Sequence, residues 1–244
     1  MTQSALTRPA TTRPRALVTG GSRGIGRAIV AELARDHDVL VGGRDRDAVQ
    51  AVVDQTPGAA AFVCDLTDPE SVAEAVAGVS TLDLLVHSAG IAEGGSVVET
   101  DREVWRRLFE VNVVAVADLT RQLLPQLRTS RDRTGRQGQV VMLNSGAGFT
   151  AGPGGGPYAA SKFALRALTD ALREEERGLV RVTSIHPGRT DSDMQRSLQA
   201  AIGRAYDPQE HLSPESVAQT VRLAVDLPEN AMLESLSIRP VFRA

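Results

Sequence analysis

Ala16-Leu17-Val18-Thr19-Gly20-Gly21-Ser22-Arg23-Gly24-Ile25-Gly26 is the stretch whose reading decides the fold of this chain. Ala16–Thr19 is a short apolar run of strand type, and the glycine-rich turn after it opens a helix expected over Gly24–Asp36. Glycine at such a junction lets the chain turn tightly and lets backbone N–H groups come close to an anion at the helix N-terminus. The spacing is T-G-x-x-x-G-x-G, which differs from the G-x-G-x-x-G of the common dinucleotide fingerprint. A plain strand–helix connection is the lesser reading of such a turn, and its place at the first strand–helix junction argues further against it.

Outward from that turn, the same alternation runs to the end of the chain. Further strands are expected at Val39–Gly42, Ala61–Cys64, Leu82–His87, Gln139–Asn144, Val180–Ile185 and Ser235–Ile238. Helices are expected at Arg46–Gln55, Asp68–Ala77, Asp101–Leu127, Tyr158–Arg177 and Pro214–Val225. Thr67-Asp68-Pro69-Glu70 and Ser213-Pro214-Glu215 place a capping residue before a proline in the first turn. Near-continuous apolar strands separated by helices predict a parallel sheet covered on both faces. Seven strands without a Pro/Ser-rich linker predict one doubly wound α/β domain over 15–244, preceded by a polar, disordered leader over 1–14. The basic stretch Arg128–Gln137 reads as a solvated loop.

Composition narrows the classes. The chain has 244 residues, 42% apolar and 23% charged, with a net charge of −3, so it lacks the basic excess of a nucleic-acid partner. No apolar run approaches the roughly 18–20 residues that span a bilayer, and the N-terminus has no secretory pattern. Cys64 is the single cysteine, and His37, His87, His186 and His211 show no ligand spacing, so no metal site is expected. A cytoplasmic location is the expectation.

Tyr158 and Lys162 stand four residues apart, one turn from each other on one face of an expected helix. A neighbouring ammonium stabilises phenolate, which predicts a tyrosine pKa falling from about 10 toward neutrality. A phenol tuned that way suits general acid–base catalysis. Ser145 precedes it by thirteen residues.

These motifs, in this order, resemble the short-chain dehydrogenase/reductase family in its single-domain branch of about 250 residues. The resemblance covers nearly the whole chain, from about Pro14 to Pro240. It rests on the Thr19–Gly26 cradle, Asp65-Leu66 after the third strand, Ser88-Ala89-Gly90 after the fourth, and Asn112 inside a helix. It continues with Ser145 after the fifth strand, Tyr158-x-x-x-Lys162, and Pro187-Gly188-Arg189-Thr190 after the sixth. The implied fold is a Rossmann-type three-layer α/β/α sandwich with a seven-stranded parallel sheet. The implied activity is hydride transfer between a nicotinamide cofactor and a carbonyl or alcohol. Tyr158 would be the proton donor for reduction, Lys162 would lower its pKa and hold the nicotinamide ribose, Ser145 would donate to the substrate oxygen, and Asn112 would hold a water linking Lys162 to solvent. Thr19, Gly20, Ser22, Arg23, Gly24, Ile25 and Gly26 would cradle the cofactor. Asp65 and Leu66 would meet the adenine, Ser88, Ala89 and Gly90 would line the cofactor, and Pro187, Gly188 and Thr190 would face the nicotinamide carboxamide.

At the end of the second strand, where an acid would bind the ribose hydroxyls of NAD, this chain has Gly43 followed by Arg44. Arg23 lies in the glycine turn. Two guanidiniums suit a 2′-phosphate, so NADP(H) is expected over NAD(H), with Asp45 and Asp47 able to offset part of the preference. The family's Asn-Asn-Ala-Gly is replaced by His87-Ser88-Ala89-Gly90, with His87 read as a structural hydrogen-bonding substitute. Gly152–Pro157 reads as a mobile loop bordering the substrate. Substrate choice falls to Gly94–Val98, Phe149–Pro157 and Arg189–His211, the last a lid with a short helix whose acidic start disfavours a strongly anionic substrate. The resemblance also implies a homodimer or homotetramer through the helices near Val111–Leu127 and Tyr158–Arg177. The competing reading is a non-catalytic NADP-binding regulator or redox sensor on the same fold.

Overall fold

The computed structural model describes residues 13–201 and 203–241. Residues 1–12 of the expected leader lie outside the described residues. Arg13 and Pro14, placed in that leader, already belong to the fold: the Arg13 guanidinium donates to the carbonyl oxygens of Ala34 and His37, and the amide of Asp38 donates to Pro14 O.

In chain order the strands are β1 (Arg15–Thr19), β2 (Asp38–Gly43), β3 (Ala60–Val63), β4 (Leu84–His87), β5 (Gly138–Leu143), β6 (Val180–Pro187) and β7 (Ser235–Ile238). The helices are α1 (Gly24–Leu33), α2 (Arg46–Gln55), α3 (Pro69–Ala77), α4 (Arg102–Phe109), α5 (Ala115–Arg128), α6 (Ser130–Thr134), α7 (Gly156–Glu175), α8 (Asp193–Ala201) and α9 (Pro214–Asp226). The sheet is parallel throughout, in the order β3-β2-β1-β4-β5-β6-β7.

Strand side chains alternate between two cores, as the pleat requires. Ala16, Val18, Leu84, Val86 and Val141 pack with Ile29, Val30 and Leu33 of α1 and with Val217, Val221 and Val225 of α9. Leu17, Leu85, Val140 and Met142 pack on the other face with Leu119, Leu123 and Leu127 of α5, Leu165 and Leu172 of α7, and Val72 and Val76 of α3. This is the expected three-layer, Rossmann-like α/β/α arrangement. The chain runs outward from β1 to β3 and then returns to β4 on the other side of β1. The order therefore reverses between β1 and β4, and a crevice opens there beyond the strands' carboxyl ends.

Two expectations are corrected. The helix expected over Asp101–Leu127 is interrupted: α4 and α5 are joined by a π turn at Glu110–Val114. Wide turns of this kind insert one residue into a continuous helical pattern, which hydrophobic periodicity does not register. The basic stretch Arg128–Gln137, exposed along most of its length, is also more than a loop. It contains α6, and its arginines close the amino-terminal edge of the sheet. Arg128 grips the buried carboxylate of Glu176 through Nε at 2.9 Å and Nη2 at 2.5 Å. Arg136 Nε reaches Glu229 at 3.2 Å, and Arg133 pairs with Asp83.

Asp83 is buried and satisfies three donors from two elements, β1 and α6, at once. Its Oδ2 accepts the Arg15 amide at 2.7 Å, while Oδ1 accepts the Ser130 hydroxyl at 2.6 Å and the Arg133 guanidinium. Asp83→Ala leaves those donors without their acceptor and should destabilise the protein by about 2–4 kcal/mol. Urea denaturation monitored by circular dichroism measures this; a loss below about 0.5 kcal/mol, the ordinary scale of a surface change, would refute the clamp.

Candidate active site

The crevice is shaped by backbone contacts near the carboxyl ends of β1 and β4. Gly20 adopts φ +65°, and a side chain there would begin 2.9 Å from the Cα of Ala89. At Gly26 it would begin 2.1 Å from the carbonyl oxygen of Gly20, so only glycine lets α1 start this close to the turn. Thr19 is buried, and its Oγ1 accepts the amide hydrogens of both Ser88 and Ala89 at 3.1 Å. Thr19 thus shapes the cradle from behind.

Helix α1 differs at its N-terminus from α2, α3, α4 and α9. Asp45, Asp68, Asp101 and Ser213 accept amide hydrogens at the starts of α2, α3, α4 and α9. Helix α1 has no side-chain cap and no acidic residue in its first turn. Its leading N–H groups and the positive end of its dipole are therefore available to an anion. Beside it, a side chain at Gly43 would begin 2.7 Å from Val49 Cγ2 and 3.6 Å from Ser22 Oγ. The position where an acid was looked for has no room for one without displacing Val49. Arg23 and Arg44 are exposed at this end. The Asp65 carboxyl, next to Arg44, is held below its usual range, chiefly by hydrogen bonds from the Thr67 amide and hydroxyl.

At the other end, Ser145, Tyr158 and Lys162 line one cleft of about 330 Å³ together with Ser88, Ala89, Gly90 and the Pro187–Thr190 turn. Ser145 is extended (φ −161°, ψ 159°) as β5 ends, and its Oγ accepts the Ala147 amide at 3.1 Å. The Ser145 side chain stands beside the Tyr158 hydroxyl. Lys162 is buried, with Nζ donating to Leu143 O at 3.1 Å and lying 5.9 Å from the centre of the Tyr158 ring.

The tyrosine pKa does not fall toward neutrality as expected. Burial pushes the Tyr158 phenol up from its ordinary value, opposed only by the Ser145 side chain. Burial also pulls Lys162 down to about 8. Desolvation of both groups outweighs the neighbouring charge.

Asn112 sits at the centre of the π turn, fully enclosed. Its Oδ1 accepts the Ile91 amide at 2.9 Å, while Nδ2 donates to Ile91 O at 2.9 Å and to Ser161 Oγ at 3.1 Å. Asn112 Oδ1 and Lys162 Nζ flank Gly90, 3.1 and 3.8 Å from where a side chain there would begin. The extra residue of the wide turn is what aims Asn112 at this loop.

Of the remaining sequence-derived positions, Ile25 also lines the cleft, while Ser22, Arg23, Arg44, Asp65 and Leu66 stand outside it, toward β2 and β3. Thr190 is buried and donates to Gly188 O at 3.2 Å. Gly152–Pro157 does not line the cleft, and the loop expected to be mobile is stitched down: Gly95 N donates to Gly154 O at 2.8 Å. Within the expected lid, Ser192, Met194, Gln195 and Leu198 line the cleft. Asp191 is tied to Arg196 and Tyr206, both at 2.6 Å, and neither it nor Asp193 faces the cleft, so the acidic start of the lid does not disfavour an anionic substrate there.

Asn144, Ser192 and His186 are among the residues of this region not singled out from sequence. Asn144 takes the Ser145 amide on its Oδ1 at 3.0 Å. Ser192 stands 3.8 Å from where a side chain at Gly24 would begin. Its oxygen accepts the Gln195 amide at 3.3 Å, a capping pattern legible as Ser192-Asp193 before a helix.

A model of the short chain dehydrogenase family matches residues 14–203. The chain belongs to that family. It is 34% identical over 231 residues to an uncharacterized short-chain type dehydrogenase/reductase of Sinorhizobium fredii, covering 92% of this chain and 90% of that one. The solved alcohol dehydrogenase of the archaeon Thermococcus sibiricus, complexed with 5-hydroxy-NADP, superposes with a TM-score of 0.84 at 28% identity, covering 95% of this chain and 98% of that one. An actinorhodin polyketide ketoreductase variant solved with NADPH gives the same TM-score, 0.84, at 25% identity, with coverage of 95% and 98%. A nicotinamide cofactor and oxidoreductase chemistry come with the family.

His87, which departs from the family pattern, is a structural hydrogen-bonding residue. The Thr120 hydroxyl donates to Val116 O at 2.7 Å, so at 2.9 Å it accepts from His87 Nε2–H. The imidazole is therefore the Nε2–H tautomer, with Nδ1 buried and unpartnered among the described residues. Burial lowers its pKa to about 3. An unfolded chain takes up this proton near its ordinary value of about 6.5, so stability is lost as pH falls from there toward 3. His87→Asn should lessen the acid-side loss by a few kcal/mol at roughly 1.4 kcal/mol per pH unit. Denaturation midpoints of both proteins between pH 7 and 4 test this, and parallel curves would contradict it.

Proposed function

We propose that the protein is an NADP(H)-dependent carbonyl reductase or alcohol dehydrogenase in which Tyr158 moves the proton. The observation that carries this reading is the convergence of Ser145, Tyr158 and Lys162 on one cleft, close to an uncapped helix N-terminus. NADP(H), when bound, supplies or accepts hydride at the substrate carbon. The first turn of α1 would hold its pyrophosphate, and Arg23 and Arg44 would take the 2′-phosphate at an edge where Gly43 has no carboxylate to repel it. The NADP and NADPH named with the two structural relatives favour the same choice.

In reduction, negative charge grows on the substrate oxygen. Ser145 Oγ–H would donate to that oxygen, and stabilisation aimed at developing charge is worth most in a site shielded from water. The Tyr158 phenol gives up the proton. A pKa raised by burial keeps this phenol protonated at neutral pH, the form reduction needs. The Lys162 ammonium would hold the nicotinamide ribose and stabilise the phenolate left behind. Asn112 steadies the Gly90-Ile91 wall and would hold the water that links Lys162 to solvent. Thr190 and the Pro187-Gly188 backbone would receive the carboxamide. Ile91, Ala92, Ala147, Met194 and Leu198 make the cleft largely apolar, which fits a small ketone or aldehyde.

Val114 and Phe163 are exposed on α4–α5 and α7, in keeping with a homodimer or homotetramer through those faces. No described helix is long and apolar enough to cross a membrane, and a cytoplasmic location is part of the same proposal. The non-catalytic reading finds no support in a site that keeps all of Ser145, Tyr158, Lys162 and Asn112.

Turnover of NADPH against a panel of ketones and aldehydes tests the activity. Tyr158→Phe should lower kcat by about 10²–10⁴-fold while NADPH fluorescence titration still shows binding; undiminished activity would sink the mechanism. Wild-type protein should bind NADPH more tightly than NADH, and Arg44→Asp should reduce that preference about tenfold or more, a change of roughly 1.4 kcal/mol. Equal wild-type affinities would overturn the cofactor assignment. The pH dependence follows from the raised phenol: reduction should hold its rate across neutral pH, whereas alcohol oxidation, which needs phenolate, should accelerate as pH rises into the alkaline range. An oxidation rate flat from pH 7 to 10 would count against Tyr158 as the base.

A further inference from the structure

We infer that His186 is a positioning residue for Ser145, acting through the Ser145 carbonyl; the inference rests on the reading of Ser145 as the substrate-oxygen donor. His186 lies near the end of β6 and has no exposed surface. Its Nδ1 is 3.1 Å from Ser145 O, and a carbonyl only accepts, so Nδ1 carries a proton. Nε2 lies 2.9 Å from Ser184 Oγ and, in the neutral ring, accepts from that hydroxyl. Ser184 thereby selects the tautomer that donates to Ser145. Burial is the main influence holding the imidazole below its ordinary pKa, in keeping with a neutral ring.

The contact completes a set. The Ser145 amide donates to Asn144 Oδ1 at 3.0 Å, its Oγ accepts from Ala147 N at 3.1 Å, and its carbonyl takes the Gly148 amide at 3.0 Å. The imidazole supplies the second donor to that carbonyl. Pro187 carries no amide hydrogen, so β6 has no backbone donor to offer from that position. The ring is itself immobilised: Phe149 packs against it with centroids 4.2 Å apart, and Arg239 Nη1 donates to His186 O at 2.5 Å. Fixing the Ser145 peptide plane fixes where Oγ stands relative to Tyr158, and transition-state stabilisation is sensitive to displacements well under an ångström.

The test is a double-mutant cycle on the full chain, using the ketone or aldehyde from the panel that the wild type reduces fastest. His186→Leu should lower kcat about 10- to 100-fold, leave the Kd for NADPH within twofold, and do so at a melting temperature close to wild type. His186→Asn, whose amide can donate to the same carbonyl, should recover most of the rate. In a Ser145→Ala background, which itself should be slow, His186→Leu should cost less than twofold. Ser184→Ala, milder should His186→Leu fold poorly, should cost several-fold alone and nothing in the Ser145→Ala background. An equal cost of His186→Leu or Ser184→Ala with and without the Ser145 hydroxyl, or no cost in either, would overturn the inference. Full activity of Ser145→Ala would overturn the reading of the site as well, so the two failures are distinguishable.

Discussion

The Thr19 hydroxyl oxygen accepts two amide hydrogens, from Ser88 and Ala89, each at 3.1 Å, and the cleft depends on that junction. The strands of a parallel sheet covered on both faces are occupied by packing along their length, and chemistry is left to their ends. By tying the loop after β4 to the turn after β1, Thr19 sets the width of the crevice at the point where strand order reverses. Gly20 then lies against Ala89 with no space for a side chain, and Gly26 against Gly20, so α1 begins where its unpaired amides face the crevice. The loop held by Thr19 continues into Gly90 and Ile91, and Asn112 grips Ile91 through both of its backbone polar groups.

Burial sets the electrostatics of the site more than pairing does. Tyr158, Lys162, His87 and His186 are each shifted toward the neutral form, with burial as the leading cause. The protonated phenol and the easily discharged ammonium are two consequences of one water-poor wall. The same wall keeps His87 and His186 as neutral hydrogen-bonding groups with fixed tautomers, one selected by Thr120 and one by Ser184. At the amino-terminal edge of the sheet the solution is different: Asp83 and Glu176 stay buried because Arg133 and Arg128 meet them.

The architecture was legible because apolar runs and cap residues are local signals. All seven strands lie within two residues of their expected ends, and the glycine spacing located the crevice. The long-range terms were less visible. The π turn leaves the apolar period almost undisturbed, so Asp101–Leu127 read as one helix. The role of Arg128–Gln137 depends on Asp83, Glu176 and Glu229, which are distant in the chain. The tyrosine pKa was reasoned from a neighbour four residues away, while its desolvation comes from the tertiary walls. His186 had no spacing to announce it, since its partner lies 41 residues earlier.

The wide turn at Glu110–Val114 also governs which length changes the chain can accept. Losing its extra residue would rotate α5 by about 100° relative to α4. Leu119, Leu123 and Leu127 would leave the core together with the displacement of Asn112 from Ile91. Core register and site geometry are thus set by one backbone irregularity, and neither can drift without the other. A one-residue deletion there would be rejected by folding before any loss of catalysis could be seen.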